Sequence, residues 1–168
     1  MSVAIKLPLG PDTVFAAFQA AATRYAQQPF ICVLTETAAV YDMPAGELSY
    51  GEAQSKVEQL ASAYRQAGFG HGHRVGVLLE NRPDFFLHWF ALNALGVSLV
   101  PINPDMRAAE LEYLIDHSDV VAALAIPSRH GDIALMLQEA LTREPYCNKR
   151  GGASCLQCDA GSCQIQLV

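Results

Sequence analysis

Short apolar runs alternate with amphipathic segments along most of this chain, and the alternation predicts its secondary structure. Apolar residues recur at helical spacing from Val14 to Tyr25, and again from Ala53 to Ala67. The short apolar runs between such segments are typical of strands buried on both faces of a sheet. The predicted strands are residues 30–34, 75–79, 97–100 and 120–126. The predicted helices are residues 12–27, 49–67, 83–95, 108–115 and 133–143. Residues 35–46 resemble a loop. Strands that alternate with helices predict an α/β fold with a largely parallel sheet and flanking helices.

Residues typical of helix starts mark several of these boundaries. Asp12 is the expected N-cap of the first helix. Ser49 and Glu52 have the spacing of a capping box, and Pro83 has the position expected in the first turn of a helix. Arg107 stands at another expected N-cap. Because a guanidinium cannot accept hydrogen bonds from the first turn, we expect that helix start to fray.

The stretch from residue 85 to residue 104 has no charged side chain and is long enough for a membrane span. Polar or conformationally special residues interrupt it: His88, Asn93, Gly96, Ser98 and Pro101. Because Gly96 divides the stretch into a helix-like half and a strand-like half, we expect a buried helix followed by a strand, and no membrane span. The helix should lie inside the protein, since aromatic and aliphatic residues surround it: Phe85, Phe86, Trp89, Phe90 and Leu92.

Composition places the chain among globular proteins. Its 168 residues suggest about one domain, and 51% of them are hydrophobic while 17% are charged. The formal net charge is −6 and no basic stripe is visible, so we expect no nucleic-acid binding. The first twelve residues lack the apolar run of a secretory signal, and we therefore expect a cytoplasmic location.

Three sets of residues invite functional interpretations that simpler ones outweigh. Glycines at positions 68, 70 and 72 could cradle a phosphate, but they precede their strand, whereas a phosphate loop follows one. His71 and His73 in that turn are expected to be solvated instead of ligating a metal, and His88 to be a satisfied core histidine. The acidic residues Glu110, Glu112, Asp116 and Asp119 are expected to form a solvated helix face.

The composition changes after Pro145. Residues 146–168 are rich in glycine and serine, show no helical period and no clear strand before their last few positions, and contain four of the five cysteines: Cys147, Cys155, Cys158 and Cys163. A shifted reading frame or an altered exon join explains such a change best, and it predicts a disordered tail. The alternative is a zinc site of four thiolates that includes the C-x-x-C pair.

Four blocks of the sequence resemble a known family. They are L-S-Y-G-E at Leu48–Glu52, G-H-G-H-R-V-G-V-L-L-E-N at Gly70–Asn81, W-F-A-L-N-A-L-G-V-S-L-V-P-I-N-P at Trp89–Pro104 and E-L-E-Y-L-I-D-H-S-D at Glu110–Asp119. In order and spacing they resemble the start of the AMP-binding, adenylate-forming superfamily, and in style fatty-acyl or carnitine-type CoA ligases. The resemblance covers residues 12–143. It implies a partial N-terminal subdomain of the adenylate-forming enzyme fold, within a truncated domain at residues 1–145.

The resemblance also implies a parent activity. Such an enzyme uses ATP and Mg²⁺ to convert a carboxylic acid to an acyl-adenylate, and then passes the acyl group to CoA. The family's Ser/Thr/Gly-rich loop, its Thr-Glu pair, its ribose-binding Asp and its C-terminal Lys have no counterpart here. The three lysines, Lys6, Lys56 and Lys149, end no such loop. We therefore assign no catalytic, cofactor-binding or metal-binding residue, and expect this chain to be inactive alone.

Two other classes of function stay open. The chain could act as a non-catalytic α/β interaction module that pairs with an intact synthetase subunit through an exposed sheet edge. It could also be a small zinc protein built around the cysteine-rich segment. A defined complex with a synthetase would favour the first of these, and stoichiometric zinc would favour the second.

Overall fold

The computed structural model describes residues 12–142 and 154–157, and it confirms an α/β fold. The helices are α1 (Val14–Arg24), α2 (Thr35–Tyr41), α3 (Tyr50–Gln66), α4 (Pro83–Ala94), α5 (Ala108–His117) and α6 (His130–Thr142). The strands are β1 (Pro29–Val33), β2 (Gly46–Ser49), β3 (Arg74–Leu78), β4 (Ser98–Pro101), β5 (Ala122–Ala125) and β6 (Ser154–Gln157).

A parallel sheet with the strand order β4-β3-β5-β6 forms the centre of the fold. The step from β3 to β4 runs in the opposite direction from the steps to β5 and β6. Since crossovers between parallel strands are right-handed, α4 covers one face of the sheet and α5 and α6 cover the other. Helices α1 and α3 pack against α4, and α5 packs against α6. The remaining strands, β1 and β2, form a separate antiparallel pair.

The core follows the two middle strands. All four residues of β5 are buried, as are four of the five residues of β3, and helices cover both faces of these strands. The alanines of β5 let the flanking helices approach closely. At Gly76 in β3, an added Cβ would lie 2.9 Å from Cδ1 of Ile102, so that position has room only for hydrogen. Such fully buried strands are expected in a parallel sheet.

An aromatic cluster joins the antiparallel pair to this core. The ring of Phe18 on α1 stacks on Phe90 of α4 with the centroids 4.2 Å apart, and lies 5.4 Å from the ring of Phe30 in β1. Tyr50, the first residue of α3, packs 4.8 Å from Phe30. A polar contact also ties α1 to α4, because the backbone N–H of Phe15 donates to the side-chain oxygen of Asn93 at 2.9 Å.

The prediction of a loop at residues 35–46 was wrong. These residues contain α2, and β2 starts at Gly46 and pairs with β1. The helix has only seven residues and no side-chain hydrogen bond at its N-cap, so it is too short to show a period. Asp42 ends it in the left-handed region, at φ 47°. Strand β6 was also missed, because four residues without alternation carry little local signal.

Helix boundaries agree with the sequence more closely. The capping box of Ser49 and Glu52 and the first-turn position of Pro83 are confirmed. The first N-cap is Thr13 and not Asp12, since the Thr13 hydroxyl accepts from the N–H of Ala16 at 3.0 Å. At Arg107 the side chain caps nothing. The carboxylate of Glu110 accepts from the Arg107 N–H at 2.8 Å, so half of a capping box holds the start of α5.

Helix α4 is only partly enclosed, which corrects the expectation of a helix buried all round. Leu87, His88, Phe90, Ala91 and Leu92 are buried, whereas Trp89 is half-buried and Phe86 is 42% exposed. Within residues 12–142 and 154–157, no helix combines the length and the apolar character that a membrane crossing needs.

Candidate functional site

The carboxyl edge of the parallel sheet is the first place to search for a site. In open α/β sheets, ligands bind outside the carboxyl ends of the strands, where the strand order reverses. Here that point lies between the loop after β3 and the loop after β5. Each loop places one half-buried arginine there, Arg82 and Arg129.

Arg82 joins the end of α2 to the start of α4. Its Nη2 donates to the backbone oxygen of Tyr41 at 2.6 Å, and its Nε lies 3.4 Å from a carboxylate oxygen of Glu80. Glu80 has a positive φ of 54°, which turns the chain sharply after β3 and brings the carboxylate to the guanidinium. The arginine therefore binds a backbone carbonyl at the helix end, where carbonyls have no helical partner.

Arg129 also holds two chain segments together, at the part of this sheet edge that follows β5. Its Nη1 donates to the oxygen of Pro104, its Nη2 donates to the oxygen of Met106 at 3.3 Å, and its Nε lies 3.2 Å from Asp132. These contacts tie the loop between β4 and α5 to the start of α6. Both guanidinium groups are thus occupied by loop carbonyls and nearby carboxylates, and the sequence did not predict either contact.

Each of two shallow surface depressions includes polar side chains that accept hydrogen bonds near a helix start, although the lining of the larger one is mainly apolar. The larger, of about 740 Å³, includes Asn103, which accepts from the Asp105 N–H at 2.9 Å, and Glu110, which caps α5. The smaller surrounds the start of α3, where Glu52 accepts from the backbone N–H of Ser49 at 2.9 Å and from its hydroxyl at 2.7 Å. These hydrogen bonds lower the pKa of Glu52, and the bond from the Ser49 backbone has the larger effect.

The glycine turn lies at the opposite edge of the sheet, between α3 and the amino end of β3. Gly68 and Gly72 have positive φ angles of 86° and 90°, which explains the need for glycine there. Nδ1 of His73 lies 3.0 Å from both the nitrogen and the oxygen of Gly70. His71 packs against Gly96, where an added Cβ would lie 3.2 Å from its ring. The turn therefore connects a helix to the strand after it. A phosphate cradle, in contrast, follows a strand and precedes a helix.

His88 is a core residue with a partner, as the sequence suggested. Its Nδ1 lies 2.7 Å from the hydroxyl of Tyr64, and both side chains are fully buried between α3 and α4. The rings of Tyr64 and Phe69 also meet in a perpendicular arrangement, with the centroids 5.8 Å apart. The pair supplies a polar contact to an otherwise apolar helix interface.

The expectation of a solvated acidic helix face is confirmed for Glu110 and Asp116, which are exposed on α5, and is wrong for Asp119. Glu110 caps α5, and Asp116 is exposed on that helix. Asp119 lies beyond the helix, in the left-handed region at φ 52°, where its carboxylate pairs with Arg74 of β3. Arg74 also donates to the oxygen of Ser118 at 3.1 Å, so this ion pair fixes the entry to β5.

The cysteine-rich segment is only partly described. Cys155 belongs to β6, whereas Cys147, Cys158, Cys163 and Lys149 lie outside the described residues. Cys32 is exposed on β1. Among the residues that the structure describes, no three histidine, cysteine or acidic side chains form a group that could hold a metal ion.

The described residues do not fit the phosphates and Mg²⁺ that the family resemblance implies. The guanidinium groups of Arg82 and Arg129 already bind backbone oxygens, and the glycine turn lies at the wrong edge of the sheet. Lys56 is exposed on α3, within a helix and not at the end of a phosphate loop. We therefore assign no catalytic step to the described residues.

The sequence of this chain matches a known protein family. A family model described as AMP-binding enzyme matches residues 18–162. A crotonobetaine/carnitine–CoA ligase from Proteus mirabilis is 31% identical over 85 residues, which are 49% of this chain and 16% of that ligase. The chain thus matches about a sixth of the length of this curated relative.

Solved structures agree on the fold. A long-chain-fatty-acid-CoA ligase from Archaeoglobus fulgidus superposes with a TM-score of 0.67 at 22% identity, covering 93% of this chain and 29% of that one. Coronafacic acid ligase from Pectobacterium brasiliense gives a TM-score of 0.69 at 15% identity, covering 86% and 25% of the two chains. Since the family match takes in most of the sequence, strand β6 included, this chain belongs to the AMP-binding enzyme family.

Proposed function

We propose that this chain forms the N-terminal part of an ATP-dependent acid–CoA ligase. The observation that carries the proposal is the family match over residues 18–162. The alignments to solved ligases support it, since they take in most of this chain but only about a quarter of each ligase. In the parent reaction, a carboxylate oxygen attacks the α-phosphorus of ATP and pyrophosphate leaves. The CoA thiol then attacks the acyl carbon of the adenylate, and AMP leaves with the thioester formed.

Within that reaction we propose a scaffolding role for the residues described here. The first step develops charge on phosphate oxygens and needs backbone N–H groups, Mg²⁺ and a lysine to stabilise it. The contacts of Arg82 and Arg129 support a different task, since each holds two chain segments together at the carboxyl edge of the sheet. A rigid edge would position the catalytic groups that the rest of a complete ligase supplies.

The proposal therefore expects no adenylation by this chain alone. Purified chain, supplied with ATP, Mg²⁺ and either a fatty acid or carnitine, should not exchange labelled pyrophosphate into ATP. The positive control is a complete crotonobetaine/carnitine–CoA ligase, which is assayed in parallel with carnitine as its acid. Exchange that depends on the added acid and persists after repurification would show that this chain is itself catalytic. A cytoplasmic location and a fatty-acyl or carnitine-type substrate remain parts of the proposal.

The second candidate function is an interaction module, and the position of β4 favours it. This strand lies at the edge of the parallel sheet within the described residues, and its residues are half-buried or exposed. An edge strand presents backbone groups on which another chain can add a strand. Mixing the chain with a complete synthetase and measuring mass by light scattering separates the two candidates. A stable complex favours the module, and two independent species favour the ligase segment.

A further inference from the structure

We draw no further inference here: the strongest candidate, the exposed apolar side chains of Leu34 and Val40 around α2 with Phe86 on α4, carries nothing because no described contact shows which segment, copy or partner covers them.

Discussion

The parallel sheet and the antiparallel pair β1–β2 are built on different principles. Each residue of β5 is buried, so the strand is apolar throughout and could be recognised in the sequence. Strand β1 has only half-buried and exposed positions, and β2 begins with two exposed residues. The ring of Phe18 connects the pair to α4, and Phe30 of β1 also meets Phe90 of α4 directly, with the ring centroids 6.0 Å apart. Both central strands of the parallel sheet were predicted from local sequence, whereas of the antiparallel pair only β1 was predicted and β2 was not.

Replacing Phe18 by alanine should have the largest effect, because it removes a buried ring that contacts both regions. Burial of this side chain predicts a loss of about 3–5 kcal/mol in the free energy of unfolding. Urea denaturation followed by circular dichroism measures that loss. The matched control is Phe86→Ala, whose side chain is 42% exposed and should cost less than ~1 kcal/mol. Equal losses in both variants would mean that Phe18 does not connect the regions.

The buried pair of Tyr64 and His88 tests the interior of the parallel region alone. Tyr64→Phe removes the hydroxyl 2.7 Å from His88 Nδ1 and should cost about 1–3 kcal/mol, since a buried ring nitrogen loses its partner. Tyr113→Phe, at a side chain that is 67% exposed, is the matched control and should change stability little. The pair contributes nothing specific if the two tyrosine variants unfold at the same urea concentration.

Arg82 tests how α2 is held against α4. Arg82→Ala removes the donor to the Tyr41 carbonyl and should cost ~1 kcal/mol, because the guanidinium is still partly in water. Hydrogen exchange followed by mass spectrometry should show faster exchange across residues 35–41 and little change in β3. Arg65→Ala, at an exposed position of α3, controls for loss of a positive charge. Unchanged exchange in α2 would show that the helix is held by other contacts.

The capping box at the junction of β2 and α3 should give the smallest effect, and one that depends on pH. Since hydrogen bonds from Ser49 lower the pKa of Glu52, their stabilisation is present above the ordinary pKa of a glutamate. It is lost as the pH falls through the lowered value. Glu52→Gln should therefore be less stable than the unmodified chain at neutral pH, and the difference should shrink in acid. Glu58→Gln on the same helix controls for the lost charge, and an identical pH profile for both variants would contradict the assignment.

Most of the interpretation of the cysteine-rich segment stays a prediction, since the structure describes only residues 154–157 of it. Residues 154–157 pair with β5 in parallel register, and the family match extends to residue 162. Part of the segment thus belongs to the family pattern, which was expected to stop near residue 143. The hypothesis of a shifted reading frame stays a prediction. Nucleotide sequence beyond the Arg143 codon, read in all frames for a Ser/Thr/Gly-rich loop ending in lysine, is the direct test.

The sequence by itself determined the elements that satisfy their own local requirements. Strand β5, and strand β3 after Arg74, are continuous apolar runs, the capping box sets the start of α3, and Pro83 sets the start of α4. Each of these signals lies within a few residues, because hydrogen bonding and burial there depend on near neighbours. The order of the four blocks was enough to identify the family.

Only the tertiary structure decided which distant groups meet. Arg82 reaches a carbonyl 41 residues earlier in the chain, Arg129 reaches one 25 residues earlier, and Arg74 pairs with Asp119 across 45 residues. Nothing in the local pattern distinguishes these arginines from solvated ones, since a guanidinium near the surface can bind either water or a carbonyl. Strand β2 and helix α2 have the same dependence. Their backbone and side-chain groups find partners only when β1, α4 and the loop after β3 have been brought together by the burial of the core.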